Sequence, residues 1–476
     1  MSKLTVELIP EKTPGPEQGV GLNERKAKDT QYHCDNKLLK VFLGPIKDLD
    51  SSKIREKVSE ANWKDISETE IELQVGNLKA DLVEAAYEML ILKSFLFDKY
   101  KTSADERHVQ VKKVTFKPKK PEGFEVGPRD EIISAVKFCR DIVSSNADSI
   151  TPGQMEKFAF EACKLNPNIK YSVIDAEQAK KLGMNCLLAV GAESLKNGRR
   201  ESHPRLVVME YTGPGYKPEL KNKSSKGKKS PTPHIALVGK GITYDTGGLC
   251  LKPNKSMLDM KSDMAGSAVV LSVFRALANL ESRIRPDIKI TGVMALTENA
   301  FGASSYKPGD VLKAMNGKTV EVVDTDAEGR LVLADALSYV SGLKDSPTQI
   351  IDLATLTGSI VATLGEAASG AMTNNDDLFK KVSKAFNEEG EKVWQMPMFE
   401  EYKKLLDSTI ADIAHCNTRP DALCAAIFLR EFIKEGIDWL HLDIAGVGFI
   451  ENDGLWAYKG ATGYGVKGLL RYLLSI

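Results

Sequence analysis

The chain has 476 residues, 42% of them hydrophobic and 27% charged, an ordinary globular balance that excludes wholesale disorder and a coiled coil. Its 65 Lys+Arg are matched by 65 Asp+Glu, so no global basic field exists to hold nucleic acid or an anionic membrane. No apolar run approaches the ~20 residues of a spanning helix, and at roughly 150 residues per domain the length suggests two or three domains.

Met1 to Lys12 is mixed and polar, without the charged-then-apolar pattern of a secretion signal. Leu38–Leu43 suits a strand. Asn77–Lys99 carries Leu78, Leu82, Ala85, Ala86, Met89, Leu90 and Leu92 at helical spacing, and Val109–Val114 alternates as a strand. Lys117–Pro128, punctuated by Pro118, Pro121 and Pro128, marks a domain boundary, and a bridging helix is predicted over Asp130–Ser144. From about residue 170 the texture changes. Arg205–Tyr211, Ile235–Gly239, Ile288–Leu296, Thr319–Val323, Gln349–Ala354 and Trp439–Ile444 read as strands; Met264–Leu280, Leu331–Leu343, Asp377–Glu389 and Asp421–Glu435 read as helices. The expected architecture is α/β in two domains. A smaller N-terminal α/β domain spans 1–125, a linking helical segment 126–170, and a larger C-terminal domain, 171–476, has a central mixed β-sheet between helices. Lys221–Ser230 (KNKSSKGKKS) reads as a solvated surface loop, and no aromatic residues interleave its lysines to make a nucleic-acid groove.

Seven cysteines (34, 139, 163, 186, 250, 416 and 424) form no CxxC pair and read as free thiols of a reducing, cytoplasmic setting. Six histidines show no i,i+4 pair and no HExxH, which excludes a histidine-based zinc site on one helix.

Two segments concentrate chemistry. Val238–Pro253, VGKGITYDTGGLCLKP, places Lys240, Asp245 and Lys252 in a glycine-rich loop at a strand end; Lys261-Ser262-Asp263-Met264-Ala265-Gly266 then opens a helix. Val322–Leu331, VVDTDAEGRL, again joins a strand end to a helix start. Were this second segment extended, Asp324, Asp326 and Glu328 would point to one side with Arg330 near them. Three such carboxylates repel unless something positive sits among them. A helix N-terminus also welcomes acidic residues, whereas a calcium loop lacks its DxDxDG spacing here. Lysines and aspartates on a glycine-rich strand-end loop are hard to explain as packing. Oxygen ligands plus one nitrogen suit a divalent ion of the magnesium, manganese or zinc type. A ligating lysine must be neutral, and bringing its pKa from ~10.4 below ~7 takes roughly 5 kcal/mol, which metal bonding or deep burial supplies. Spacing alone does not say which lysine this is.

These motifs resemble the leucine aminopeptidase (cytosol aminopeptidase) family, whose signature is an NTDAEGRL octapeptide with an upstream GKGxxxDxGG…K stretch. The resemblance continues through DLATLTG (Asp352–Gly358) and HLDIAG (His441–Gly446) to TGYGVKGLL, about residues 130–476 in all. It implies two divalent ions per subunit, Zn or Mn with Mg or Co as alternatives, held by Lys240, Asp245, Asp263, Asp326 and Glu328. Lys252 and Arg330 match the catalytic side chains. Lys252, kept charged, would stabilise the oxyanion of the tetrahedral intermediate, and Arg330 would hold a bicarbonate that shuttles the proton. The implied reaction is release of N-terminal residues from short peptides by a metal-bridged hydroxide. One ion takes the free α-amine and Asp263 helps to hold it. Met260, Thr355, Gly358 and Ala445 are implied in the pocket for the first side chain, with Gly448 at a position that is often bulkier. A glycine there leaves room for Leu, Met or Phe, unless a turn requires it. The family also implies a homohexamer of two stacked trimers facing an interior cavity.

Two other classes compete: a catalytically silent structural or nucleic-acid-binding relative, and another two-metal hydrolase such as a phosphatase. All seven identities are present, against the first, and Lys240 as a nitrogen ligand in this motif order stands against the second. Asp324 departs from the family's usual Asn and is expected to add negative charge beside the ions, tightening metal retention or shifting the pH optimum. His415 and Cys416 are expected in an ordinary surface or interface role, Cys250 as a small buried thiol, and His441 as a satisfied core histidine.

Overall fold

Four strands, almost wholly buried, meet in parallel at the centre of the molecule: Asp438–Asp443, Gln349–Ala354, His234–Asp245 and Lys289–Asn299. The computed structural model describes residues 3–11, 30–33, 38–45, 49–60, 70–103, 110–218, 232–417, 419–454 and 457–476. The lysine tract at Lys221–Ser230 lies outside them. Ser369–Thr373 adds antiparallel to Asp438–Asp443 and carries Val393–Gln395 at one edge. Arg205–Thr212 and then Ile169–Ile174 add antiparallel on the other side, which makes a mixed sheet of eight strands among the described residues. Strands apolar on both faces need cover on both faces. Helices Ala265–Asn279, Val126–Ser144 and Val466–Ser475 share the apolar cluster on one side, and Glu328–Ser341 and Asp421–Arg430 that on the other.

A second, five-stranded sheet is built from Thr30–His33, Leu38–Pro45, Lys3–Glu11, Glu70–Gln74 and Lys113–Lys117, in that spatial order. Helices Ser51–Ser59 and Ala80–Lys93 pack together beside it. Buried charges join this N-terminal part to the rest. Glu88 accepts from Lys467 Nζ at 2.6 Å and from Arg129 Nη1 at 2.7 Å, and Arg129 also donates to Glu389 at 2.8 Å. Arg55 reaches both Glu88 and the Glu388 carbonyl. No described helix is long and apolar enough to cross a membrane.

Several elements differ from expectation for physical reasons. The predicted strand Ile235–Gly239 runs on to Asp245, because Lys240 and Thr243 are polar yet buried and satisfied. Thr319–Val323 stops at Glu321 and belongs to a separate small sheet with Val311–Lys313 and Ile413–Ala414. The strand expected at Val109–Val114 falls instead at Lys113–Lys117, Val109 being outside the described residues. Helix Asp421–Glu435 ends at Arg430. Ile169–Ile174, an alternating strand at the sheet edge, adds to the predicted set.

Candidate active site

Every candidate residue lies at or beyond the carboxyl ends of the central parallel strands, where α/β sheets leave a crevice. Lys240 and Asp245 belong to the strand His234–Asp245 itself. The loop that follows folds back on Asp326. Gly247 adopts φ +85°, and a Cβ there would stand 2.5 Å from the Cys250 carbonyl and 2.9 Å from Asp326 Oδ1, so only glycine fits. Lys252 N–H closes this loop on Thr246 O at 2.9 Å. Asp263 ends the short turn Met260–Ser262 just before helix Ala265–Asn279. Glu328 opens helix Glu328–Ser341, and Gly329 lets Lys240 pass, since a Cβ there would lie 2.6 Å from Nζ.

The segment Asp324–Glu328 is not extended, which corrects the alternation read from sequence. Asp324 Oδ1 accepts from Asp326 N–H at 2.9 Å and its carbonyl accepts from Ala327 N–H, making a turn, after which Glu328 is already helical. The three carboxylates therefore do not line one edge. Instead Asp245, Asp263 and Glu328, all buried, bring ligand atoms within 4.8 Å of one another.

Two ammoniums thread this cluster. Lys240 Nζ stands 2.7 Å from Asp263 Oδ1 and 2.9 Å from Glu328 Oε1, while Lys252 Nζ stands 2.9 Å from Asp245 Oδ2 and 2.5 Å from Asp326 Oδ1. Burial works against both charges, but the carboxylates (Asp263, Glu328 and Asp245 for Lys240; Asp245, Glu328 and Asp326 for Lys252) hold both lysines above their ordinary range. Burial likewise pushes Asp263 well up, and raises Asp245 and Asp326. Asp263 Oδ2 and Glu328 Oε2 are buried without a partner. Orphaned carboxylate oxygens in so close a cluster are costly unless a cation joins them, so a divalent ion fits this donor set.

Support comes from residues that local patterns did not reveal. Thr355 grips two site residues at once: its hydroxyl donates to Asp263 Oδ1 at 2.8 Å and its carbonyl accepts from Lys240 Nζ at 2.9 Å. Asn299 donates to Asp245 Oδ1 at 2.8 Å and to the Thr325 carbonyl at 3.0 Å. Asp443, fully buried, accepts from Leu356 N–H, Thr357 Oγ1 and Ala445 N–H, and so ties the loop after one central strand to the end of the next. Of the pocket candidates, Met260, Thr355 and Ala445 are half-buried and Gly358 is exposed at a helix start. Gly448 is buried, and a Cβ on it would lie 3.5 Å from Thr355 Cγ2. Its φ is not positive, but its N–H donates to the Ile444 carbonyl at 2.8 Å in a turn, and a Cβ would stand 3.1 Å from that same oxygen, so close packing also favours glycine here.

Arg330, 3% exposed, is spoken for: Nη2 donates to Asp421 Oδ1 at 2.7 Å and Nη1 to the His415 carbonyl at 3.3 Å. His415 is not a surface residue but fully buried, with Nε2 on Asp324 O at 2.8 Å and Nδ1 accepting from Val323 N–H at 3.1 Å. Burial, the largest cause, and Arg330 lower its pKa to about 4, so it stays neutral and structural. Cys250 is half-buried rather than buried. His441 is a core histidine with Nδ1 on Asp352 at 2.6 Å, although its Nε2 has no partner.

Residues 137–470 match the sequence model described as "Cytosol aminopeptidase family, catalytic domain". The chain belongs to that family. A protein of Aquifex aeolicus named "Probable cytosol aminopeptidase" is 37% identical over 405 residues, 84% of this chain and 76% of the relative. One of the same name from Chlamydia trachomatis is 41% identical over 347 residues, 72% of this chain and 64% of its own length, so the match spans under two thirds of that protein. Among solved structures, the bottromycin maturation enzyme BotP in complex with Mn superposes with TM-score 0.82 at 27% identity, covering 99% of both chains. A mutant of tomato leucine aminopeptidase superposes with TM-score 0.77 at 30% identity, covering 92% of this chain and 82% of that one. Family membership makes the chain a peptidase that uses divalent metal.

Proposed function

We propose that this aminopeptidase releases N-terminal residues, preferring Leu-like and other large apolar ones, from short peptides with a free N-terminus. The observation that carries the reading is the buried convergence of Asp245, Asp263 and Glu328, with two unpartnered oxygens, between two lysines. Lys240, Asp245, Asp263, Asp326 and Glu328 would hold two divalent ions, zinc or manganese. Such a pair, when bound, acidifies water and polarises a carbonyl. The chain's own residues then select and stabilise. Asp263 attracts the substrate's α-ammonium, so a blocked terminus is refused. Lys252, kept charged by Asp245 and Asp326, stands ready for the oxyanion. Gly448 puts no side chain beside Thr355, which accords with room for a large apolar residue there. Bicarbonate does not fit the Arg330 of this structure, whose guanidinium is already engaged by Asp421, and no step is assigned to it. A silent relative is disfavoured because all seven functional identities are kept, and Lys240, Asp245, Lys252, Asp263, Asp326 and Glu328 meet in one cluster. Free thiols among the described cysteines accord with a cytoplasmic setting. Exposed Leu249, Leu251, Leu258 and Phe301 accord with a homohexamer whose size light scattering would measure.

The decisive experiment removes metal and restores Zn, Mn, Co or Mg singly against a panel of aminoacyl amides. Activity should vanish and return. Leu, Met and Phe amides should exceed Gly and Ala amides, and N-acetylated substrates should resist. Activity that survives full chelation would overturn the reading, and a strict Gly or Ala preference would overturn its specificity.

Metal uptake should also depend on pH in a defined direction. Lys240 holds its proton in the metal-free site and must lose it to ligate, so affinity should rise by up to about tenfold per pH unit through neutrality. In the same calorimetric titration Asp324→Asn keeps the turn bond and deletes only a charge that raises the Asp326 pKa. At roughly 0.2–1 kcal/mol for a partly exposed charge, affinity should fall about 1.4- to fivefold. Unchanged affinity and pH profile would discard that role.

A further inference from the structure

We propose that Asp421 is the resident anion of Arg330 and serves as the proton carrier that a dissolved bicarbonate would otherwise provide. This rests on the aminopeptidase reading above. Arg330 is buried at 3% exposure on the helix that Glu328 opens, and its Nη2 meets Asp421 Oδ1 at 2.7 Å. Nη1 is spent on the His415 carbonyl, and Nε, buried, is the one nitrogen left without a partner. A planar oxyanion is gripped by two parallel N–H groups. One nitrogen beside a carboxylate already in place does not offer that grip, and a second anion there would meet like charge.

Asp421 is fixed in place by its helix as well as by Arg330. It is the first residue of helix Asp421–Arg430, and the next N–H, of Ala422, donates to Ser359 Oγ at 2.9 Å. That bond seats the helix start against the segment that follows Thr355 and Gly358. The Asp421 side chain is 26% exposed, so its carboxylate touches solvent while Arg330 does not. The step balances without any co-reactant. Water gives a proton to the Asp421 carboxylate as its oxygen bonds to the scissile carbon. That proton then passes to the amide nitrogen as the C–N bond breaks, leaving acid, amine and an ionised Asp421.

The test uses full-length, metal-loaded protein in carbon dioxide-free buffer, with and without added bicarbonate or formate. Wild type should run at the same rate, within twofold, whether or not bicarbonate is added. Asp421→Ala should lose about 10²-fold or more in kcat, the scale of a lost acid–base group, and regain tenfold or more with millimolar bicarbonate or formate. Asp421→Asn, which fills the same space, should be equally slow and not rescued. Thermal melts of both variants verify folding. A second readout needs no activity: ¹³C-bicarbonate line broadening on metal-free protein should show binding to Asp421→Ala and none to wild type. A wild type stimulated by bicarbonate, bicarbonate bound to it at Arg330, or variants as fast as wild type would overturn the proposal. Wild type inactive on every aminoacyl amide with every metal would bring down the aminopeptidase reading itself. An active enzyme that needs bicarbonate removes only the inference.

Discussion

Replacing Lys252 with methionine should lower kcat by about 10²–10³-fold with little change in KM, the scale of removing one charged donor from a developing oxyanion. Methionine keeps the apolar stem and deletes only the ammonium. The same change separates catalysis from metal binding. Lys252 Nζ is held by Asp245 Oδ2 and Asp326 Oδ1, so deleting it removes a competitor for those carboxylates. Metal affinity should therefore hold or rise while turnover collapses. Steady-state kinetics beside a metal titration reads both. A loss of turnover that disappears at saturating metal would place Lys252 among the structural residues instead.

The second large effect lies far from the chemistry. Glu88, with no exposed surface, faces Arg55, Arg129 and Lys467, which come from three different helices. Burial alone would raise its pKa, yet Lys467, Arg55 and Arg129 hold it at about 2. Glu88→Gln leaves three cations with Glu389 and, beside Lys467, Glu391 as the remaining deeply buried acids, and removing one partner of such a group costs roughly 3–5 kcal/mol. The sign with pH follows from the depressed pKa. The contribution is complete above the unfolded value near 4.5 and fades as pH falls toward about 2. Denaturant unfolding at several pH values should show the variant weaker at neutrality, with a shallower acid limb. Equal stability at pH 7 would mean that the charges merely fill space.

What sequence revealed of this site was what is contiguous in the chain. Lys240, Asp245 and Lys252 lie within thirteen residues, and the glycines among them announce a folded-back loop. Glu328 was read in an alternating segment because nothing local says that Gly329 must yield to Lys240 and start a helix there. Thr355, Asn299, Asp421 and Asp443 went unread as supports for another reason. Each acts on a partner more than fifty residues away, and a single threonine or aspartate carries no pattern that points so far. The Gln349–Ala354 strand was legible to the residue, since a buried parallel strand leaves an apolar run with clear ends. The longer strand through Lys240 was not, because its function placed polar residues in its interior.

The lysines interleaved among the acidic groups have a consequence for the protein's life history. Because each ammonium offsets part of the carboxylate charge, a newly made chain is expected to fold before any ion arrives, with two carboxylate oxygens still waiting for a partner. Loading then becomes an exchange of proton-bearing amines for whichever cation the surroundings provide. The metal content of purified material would accordingly report on supply in the host rather than on a preference written into the polypeptide.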